Sequence, residues 1–379
     1  MRRLAVFVMA MLAVLSALAG TAEGRQIVAR TEVTKWGQLP TSFEISGQDL
    51  PEGVTAREFA ITGEATAWGA SSLHTFACGV QAVEATEEGW RLVAEQFPDK
   101  YFYVKQLAIA CEGHPELGFT LADIGQTQTA VADDFQPLND PEYQLTAHVF
   151  LPEADGPVPV VIVFHGYGDT ANLLTYRTAV AWADPESQAK RPCAVIAPSI
   201  PDSLYTSEFA RGKVFEGVLN WIDGQIEAGK IDGSRVYAMG NSFGGMSAFE
   251  LAEQHPDRIA AILALCPALN YSAHGTQRLG ELTDIPVTIC QAEHDETIPV
   301  EVGRGAAEAL TAAGNGRVTL RVYSDEEMYA AGAALGQENT YSFHHVELAA
   351  LEGEEFEANA DWLFAQGKEY KGSSRKVVG

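Results

Sequence analysis

The chain has 379 residues and a formal net charge of −26, with 51 acidic side chains against 25 Lys and Arg. Apolar residues make up 46% of it, enough to fill buried cores and too many for long disordered tracts. Binding to nucleic acid needs clustered cations to meet the phosphates, and this charge balance excludes that class of partner.

Residues 1–22 have the form of an export signal. Arg2 and Arg3 precede an apolar run from Leu4 to Leu18, and Ala17-Leu18-Ala19 and Gly20-Thr21-Ala22 offer two cleavage points. The run is at the short end for a bilayer span, and no other segment is long and apolar enough for one. The expected location is secreted or extracytoplasmic, with no membrane partner once the signal is cleaved.

Over residues 25–135 the apolar segments are short and alternating: Val33–Trp36, Ser42–Ile45, Gly89–Val93, Tyr101–Val104 and Gln106–Ile109, with Gly, Pro and Asp between them. That rhythm predicts an antiparallel β-sandwich. Trp36, Trp68 and Trp90 could in principle stack on sugars, but filling the sandwich core is their expected use. Cys78 and Cys111 both fall here, and export makes a disulfide between them the expectation, adding roughly 3–4 kcal/mol through loop closure. Cys193, Cys266 and Cys290 lie in or beside strand-like segments and read as small buried hydrophobes. No cysteine or histidine spacing suggests a metal, and no cofactor is expected.

Residues 136–143, with Pro137, Asn139, Asp140 and Pro141, read as a linker. From 144 to 368 the rhythm becomes one of strands alternating with helices. Apolar strands are expected at Ala147–Leu151, Val158–Phe164, Ala194–Ala197, Arg235–Met239, Ile259–Leu265, Val287–Cys290 and Val318–Val322. Phe215, Val218, Leu219, Ile222 and Ile226 form a stripe at helical spacing. The fold class is therefore α/β, a mostly parallel sheet covered by helices, with its site at the carboxyl ends of the strands. Residues 369–379 are a polar tail.

The motif that carries chemistry is Gly240-Asn241-Ser242-Phe243-Gly244-Gly245, directly after the apolar run Val236–Met239. A G-x-S-x-G between a strand and a helix describes a nucleophile elbow, a turn tight enough to strain the serine backbone and expose its hydroxyl. Met246, Phe249, Leu251 and Ala252 continue it at helical spacing until His255-Pro256. A serine hydroxyl needs a base, and the base an orienting carboxylate. On this architecture they follow in the order serine, acid, histidine.

Chain order is a severe filter. Of nine histidines, His255, His274, His294, His344 and His345 follow Ser242. His255 belongs to the turn ending the elbow helix, and His274 precedes any good acid. Asp295 is the favoured acid because it lies just beyond the strand Val287–Cys290. Glu293 and Glu296 have the same chemistry beside it, and Asp284 is further from the strand end. His294 precedes the acid, which leaves His345 as the preferred base and His344 as the alternative. The oxyanion needs backbone N–H donors. Phe243 after the nucleophile supplies one, and Tyr167 in Phe164-His165-Gly166-Tyr167-Gly168 supplies the other.

In Val158–Asp169, in Ile231–Tyr237 through the elbow to Cys266-Pro267, and in Ile285–Val302, the chain resembles the secreted α/β-hydrolase esterases of the feruloyl-esterase and prolyl-oligopeptidase-like group. The resemblance implies the α/β-hydrolase fold, with Ser242 as nucleophile, Asp295 as acid and a late histidine as base. Some members carry an immunoglobulin-like domain before the hydrolase, which is similar to the layout read here. Members usually have Trp three residues after the histidine; here Leu348 stands in that position relative to His345. The function this implies is secreted serine-dependent hydrolysis of carboxylic esters, on a small-molecule or polysaccharide-linked substrate. A serine peptidase is the alternative, and a non-catalytic binding protein on a hydrolase scaffold is the third reading. The sequence carries no sign of oligomeric state.

Overall fold

The structure is a computed structural model that describes residues 24–35, 37–66, 73–97, 103–168, 173–205, 207–332 and 342–372. The export-signal reading, Trp36 and Trp68 lie outside the described residues. The chain divides into two compact units, Met1–Glu32 with Gln38–Ala130, and Val33–Gly37 with Val131–Gly379.

The first unit is built on β1 (Gln26–Thr34), β2 (Gly37–Ser46), β3 (Phe59–Thr66), β4 (Leu73–Cys78), β5 (Val80–Ala85), β6 (Gly89–Ala94), β7 (Tyr103–Cys111), β8 (Phe119–Thr120) and β9 (Gln126–Thr129). They form a five-stranded sheet in the order β5-β6-β2-β1-β9 and a four-stranded sheet in the order β4-β3-β7-β8. Pairing in both is largely antiparallel, with β1 and β9 running parallel. Alternate residues of both sheets meet in one core, where Phe43 packs on Phe119 and Phe59 on Trp90. Trp90 is fully buried, so a sugar cannot reach it.

The expected Cys78–Cys111 disulfide is not formed; among the described residues all five cysteines are free. The cause is strand order. Cys78 pairs with Ile61 and Cys111 with Phe59, so β3 runs between them. Two strand spacings separate their backbones by about 9–10 Å, beyond the roughly 7 Å that a disulfide can bridge. Both side chains serve the core instead, and burial pushes each thiol up to about 11.

The second unit holds an eight-stranded sheet of β10 (Gln136–Asp140), β11 (Leu145–Phe150), β12 (Val158–Phe164), β13 (Ala194–Ser199), β14 (Ile231–Asn241), β15 (Ala261–Leu265), β16 (Val287–Ala292) and β17 (Val318–Tyr323). Their order is β10-β11-β13-β12-β14-β15-β16-β17. From β13 to β17 neighbours are parallel, while β10 and β11 are antiparallel. The linker expected over 136–143 is corrected here, because Gln136–Asp140 is the edge strand β10. Pro137 has no N–H to give a ladder, and an edge is where a strand tolerates that.

The central strands are buried on both faces, which explains their unbroken apolar sequence. On one face Val160, Ile162 and Phe164 join a core with Val214, Phe215, Val218 and Ile222 of the helix Glu208–Glu227 and with Met246 and Phe249 of the helix Phe243–Gln254. The other face is covered by the helices Arg177–Ala183 and Gly353–Phe364, where Trp182 packs on Phe356 and Tyr237 on Phe364.

Candidate active site

Ser242 sits between β14 and the helix Phe243–Gln254, with φ 55° and ψ −119°. A non-glycine residue in that region costs about 1–3 kcal/mol and persists only where its surroundings enforce it. Its N–H donates to the Leu265 carbonyl at 2.8 Å, and its own carbonyl accepts from Met246 and Ala268 at 3.1 and 3.0 Å. The flanking glycines make the turn sterically feasible. A Cβ on Gly244 would stand 2.1 Å from the Phe164 carbonyl oxygen, and one on Gly240 would stand 2.5 Å from backbone atoms of both Gly244 and Phe164.

Asp295 lies just past β16, 6% exposed, and is held from several directions. Its Oδ1 accepts from the backbone N–H groups of Thr297 and Ile298 at 2.8 and 2.9 Å, and its Oδ2 accepts from Gln291 Nε2 at 3.1 Å. His344 Nδ1 completes the set, 2.8 Å from Oδ2 and 3.1 Å from Oδ1. A carboxylate can only accept, so in the neutral imidazole Nδ1 carries the proton and Nε2 keeps its lone pair.

Of the two histidines read as the base, the alternative, His344, is the one that meets Asp295, and the preferred His345 does not. Its Nδ1 meets Glu347 at 2.8 Å rather than Asp295. The two rings lie 6.2 Å apart at 64° to one another, and His344 is the one bonded to the acid. The His344 carbonyl accepts from the Cys266 thiol at 3.2 Å, which ties this segment to the end of β15. Cys266 is itself held at φ 39° and fully buried. Sequence reasoning gave Cys266 and Gln291 no part in the site; each lies at a strand end, which is the only signal that could have marked them.

The five positions line up with the sheet. Tyr167 follows β12, Ser242 follows β14, Cys266 follows β15, Asp295 follows β16, and His344 comes after β17. The sheet order β12-β14-β15-β16 therefore brings the first four to the carboxyl end of the parallel array, and the bond to Asp295 brings His344 there from beyond β17. Cys266 Sγ, an Asp295 oxygen and a His344 ring nitrogen lie within 4.8 Å of one another, a grouping that could hold a metal ion. In this arrangement the Asp295 oxygens and His344 Nδ1 are already committed to each other.

The rings of Phe243, the first residue of its helix, and Tyr167 pack with centroids 5.6 Å apart at a tilt of 45°, so the two residues expected to supply the oxyanion donors are neighbours. Amides in the first helical turn have no partner within the helix and sit at its positive end. Tyr271 packs on Phe243 at 5.5 Å and, like Tyr167, is more than half exposed, giving the serine turn an aromatic border.

Residues 206–333 match the sequence model of the phospholipase/carboxylesterase family. That third of the chain contains Ser242 and Asp295 and ends before His344. A crystal structure of a thermostable esterase superposes with a TM-score of 0.68 at 20% identity, over 90% of this chain and all of that one. A puromycin-hydrolysing peptidase of Mycobacterium tuberculosis gives 0.48 at 13% identity, over 78% of this chain and 54% of that one. An acylaminoacyl peptidase of Pyrococcus horikoshii gives 0.46 at 13%, over 80% and 56%. No curated protein is matched at a significant level. The fold is the α/β-hydrolase fold. The family match over residues 206–333 supports a hydrolase.

Proposed function

We propose that this protein is a serine hydrolase that cleaves carboxylic esters through an acyl-serine intermediate, with Ser242, His344 and Asp295 as its triad. The observation that carries the reading is the buried Asp295–His344 pair at 2.8 Å, set at the same strand ends as a serine held at positive φ. The Ser242 hydroxyl attacks the ester carbonyl while His344 Nε2 takes its proton. Asp295 holds the ring and stabilises the imidazolium. The tetrahedral oxyanion is received by the amides of Phe243 and Tyr167. Its collapse expels the alcohol, which takes the proton from His344. Water, activated by the same imidazole, then releases the acid and restores the serine.

An ester asks less of this site than an amide, since an alkoxide is a far better leaving group than an amide nitrogen, which must be protonated as the bond breaks. The aromatic border of Tyr167, Phe243 and Tyr271 suits a small ester with an apolar body. Residues 1–22 are read as a cleaved export signal, which gives the mature protein an extracytoplasmic location. N-terminal sequencing of protein recovered outside the cytoplasm should then begin after Ala19 or Ala22.

The direct test is hydrolysis of short-chain p-nitrophenyl esters by wild type and by Ser242→Ala. The variant is expected to lose at least 10³-fold in kcat. Undiminished turnover by the alanine variant rules the mechanism out.

A further inference from the structure

The loop that carries Tyr167 is fixed from beneath by a chain of buried bonds. His165 closes β12, and its Nε2 accepts from the Ile200 backbone N–H at 2.9 Å. Burial holds this imidazole below its ordinary range, so the neutral ring has its proton on Nδ1. Nδ1 donates to the Gly166 carbonyl at 2.6 Å. The Tyr205 hydroxyl donates to that same carbonyl at 3.2 Å and lies 3.1 Å from His165 Nδ1. Two donors therefore pin one carbonyl oxygen.

Tyr205 is held in turn. Arg211 Nη1 donates to the carbonyls of Leu204 and Tyr205 at 2.8 and 2.6 Å, and its Nε and Nη2 grip both oxygens of Glu250 at 2.8 and 2.7 Å. Glu250 stands on the helix Phe243–Gln254, the helix that Ser242 caps. Arg211 and Glu250 are almost wholly buried. A buried ion pair adds little net stability, so its use here is more readily sought in geometry. The Tyr205 ring also packs 4.8 Å from Phe243 and 5.4 Å from Tyr167, the two residues assigned here as oxyanion donors.

A trans peptide is planar, so its C=O and the following N–H point to opposite sides. Pinning the Gly166 oxygen fixes the direction of the Tyr167 N–H. We propose that Tyr205 is a positioning residue for the oxyanion site: with His165 it sets the Gly166–Tyr167 peptide, and the Glu250–Arg211 pair registers it against the helix that follows the nucleophile. This rests on the reading of Tyr167 as an oxyanion donor.

Tyr205→Phe keeps the ring packing and removes only the hydroxyl. With a p-nitrophenyl ester, kcat is expected to fall about tenfold, short of the 10²–10³ that follows outright loss of a donor. KM and the melting temperature are expected to stay near wild type. Affinity for a trifluoromethyl ketone, whose serine adduct carries an oxyanion, should fall by the same factor as kcat/KM. Glu250→Gln serves as the second variant and should lower kcat less, with KM again unchanged. Unaltered kcat in both folded variants, or a loss confined to KM, overturns the proposal. If Ser242→Ala keeps its activity, the underlying mechanism fails instead, and the two failures are distinct.

Discussion

His344 and His345 have the same side chain and adjacent positions, and they differ in what each ring meets. His344 faces Asp295, and His345 faces Glu347. Burial lowers the basicity of His344, and its surroundings more than offset this, raising it above its ordinary 6.5. Asp295 is the partner that fits that direction at neutral pH, because burial pushes the Cys266 thiol up and keeps it uncharged. A base must be unprotonated to act, so kcat/KM should climb with pH along a limb whose midpoint lies above 6.5. Asp295→Asn removes the charge that raises the imidazole. It should move the limb to lower pH and cut kcat by about 10³–10⁴. A pH–rate profile of both proteins checks this, and a limb that does not move contradicts the pairing.

The elements of the site owe their geometry to close backbone approach. The helix Phe243–Gln254 is buried along nearly its whole length and can approach β12 and β14 because Gly240 and Gly244 carry no Cβ. Its last turn has a cost. Burial pushes the Glu253 carboxyl up to about 8; Glu250, Glu208 and Glu281 act in the same direction and Arg278 against it. A folded state that holds this proton more tightly than the unfolded chain is most stable below about pH 4.5 and loses stability as pH rises toward 8. Glu253→Gln should therefore gain little in melting temperature at pH 5 and several degrees at pH 8. Calorimetry at the two values decides it, and an equal gain at both would count against the burial argument.

Much of this level was legible in the sequence. Strands such as Val158–Phe164 appear as unbroken apolar runs because both faces are covered, and the glycines around Ser242 announce a turn that nothing bulkier fits. Strand order in space was not legible. That is why a strand intervenes between Cys78 and Cys111, and why a Pro-containing stretch read as linker is an edge strand. The direction of the His344 ring was equally hidden, since its segment is tied to Cys266 and its Nδ1 to Asp295, both brought in from distant parts of the chain.

The whole molecule carries a charge of −26, and its like charges repel one another in the compact state. Added salt screens that repulsion, so the melting temperature should rise between about 10 mM and 500 mM NaCl, as the screening length falls from about 30 Å to a few Å. A melting temperature indifferent to salt would show that the charges are already balanced locally. The fold draws the candidate triad from segments that follow β14, β16 and β17 of one sheet, and the central claim is that these three side chains form a single nucleophilic unit. A fluorophosphonate probe followed by peptide mass spectrometry tests this most directly. The expected result is one adduct, on Ser242, formed at near wild-type rate in His345→Ala and abolished in His344→Ala. An adduct elsewhere, or one lost in His345→Ala and kept in His344→Ala, would contradict it.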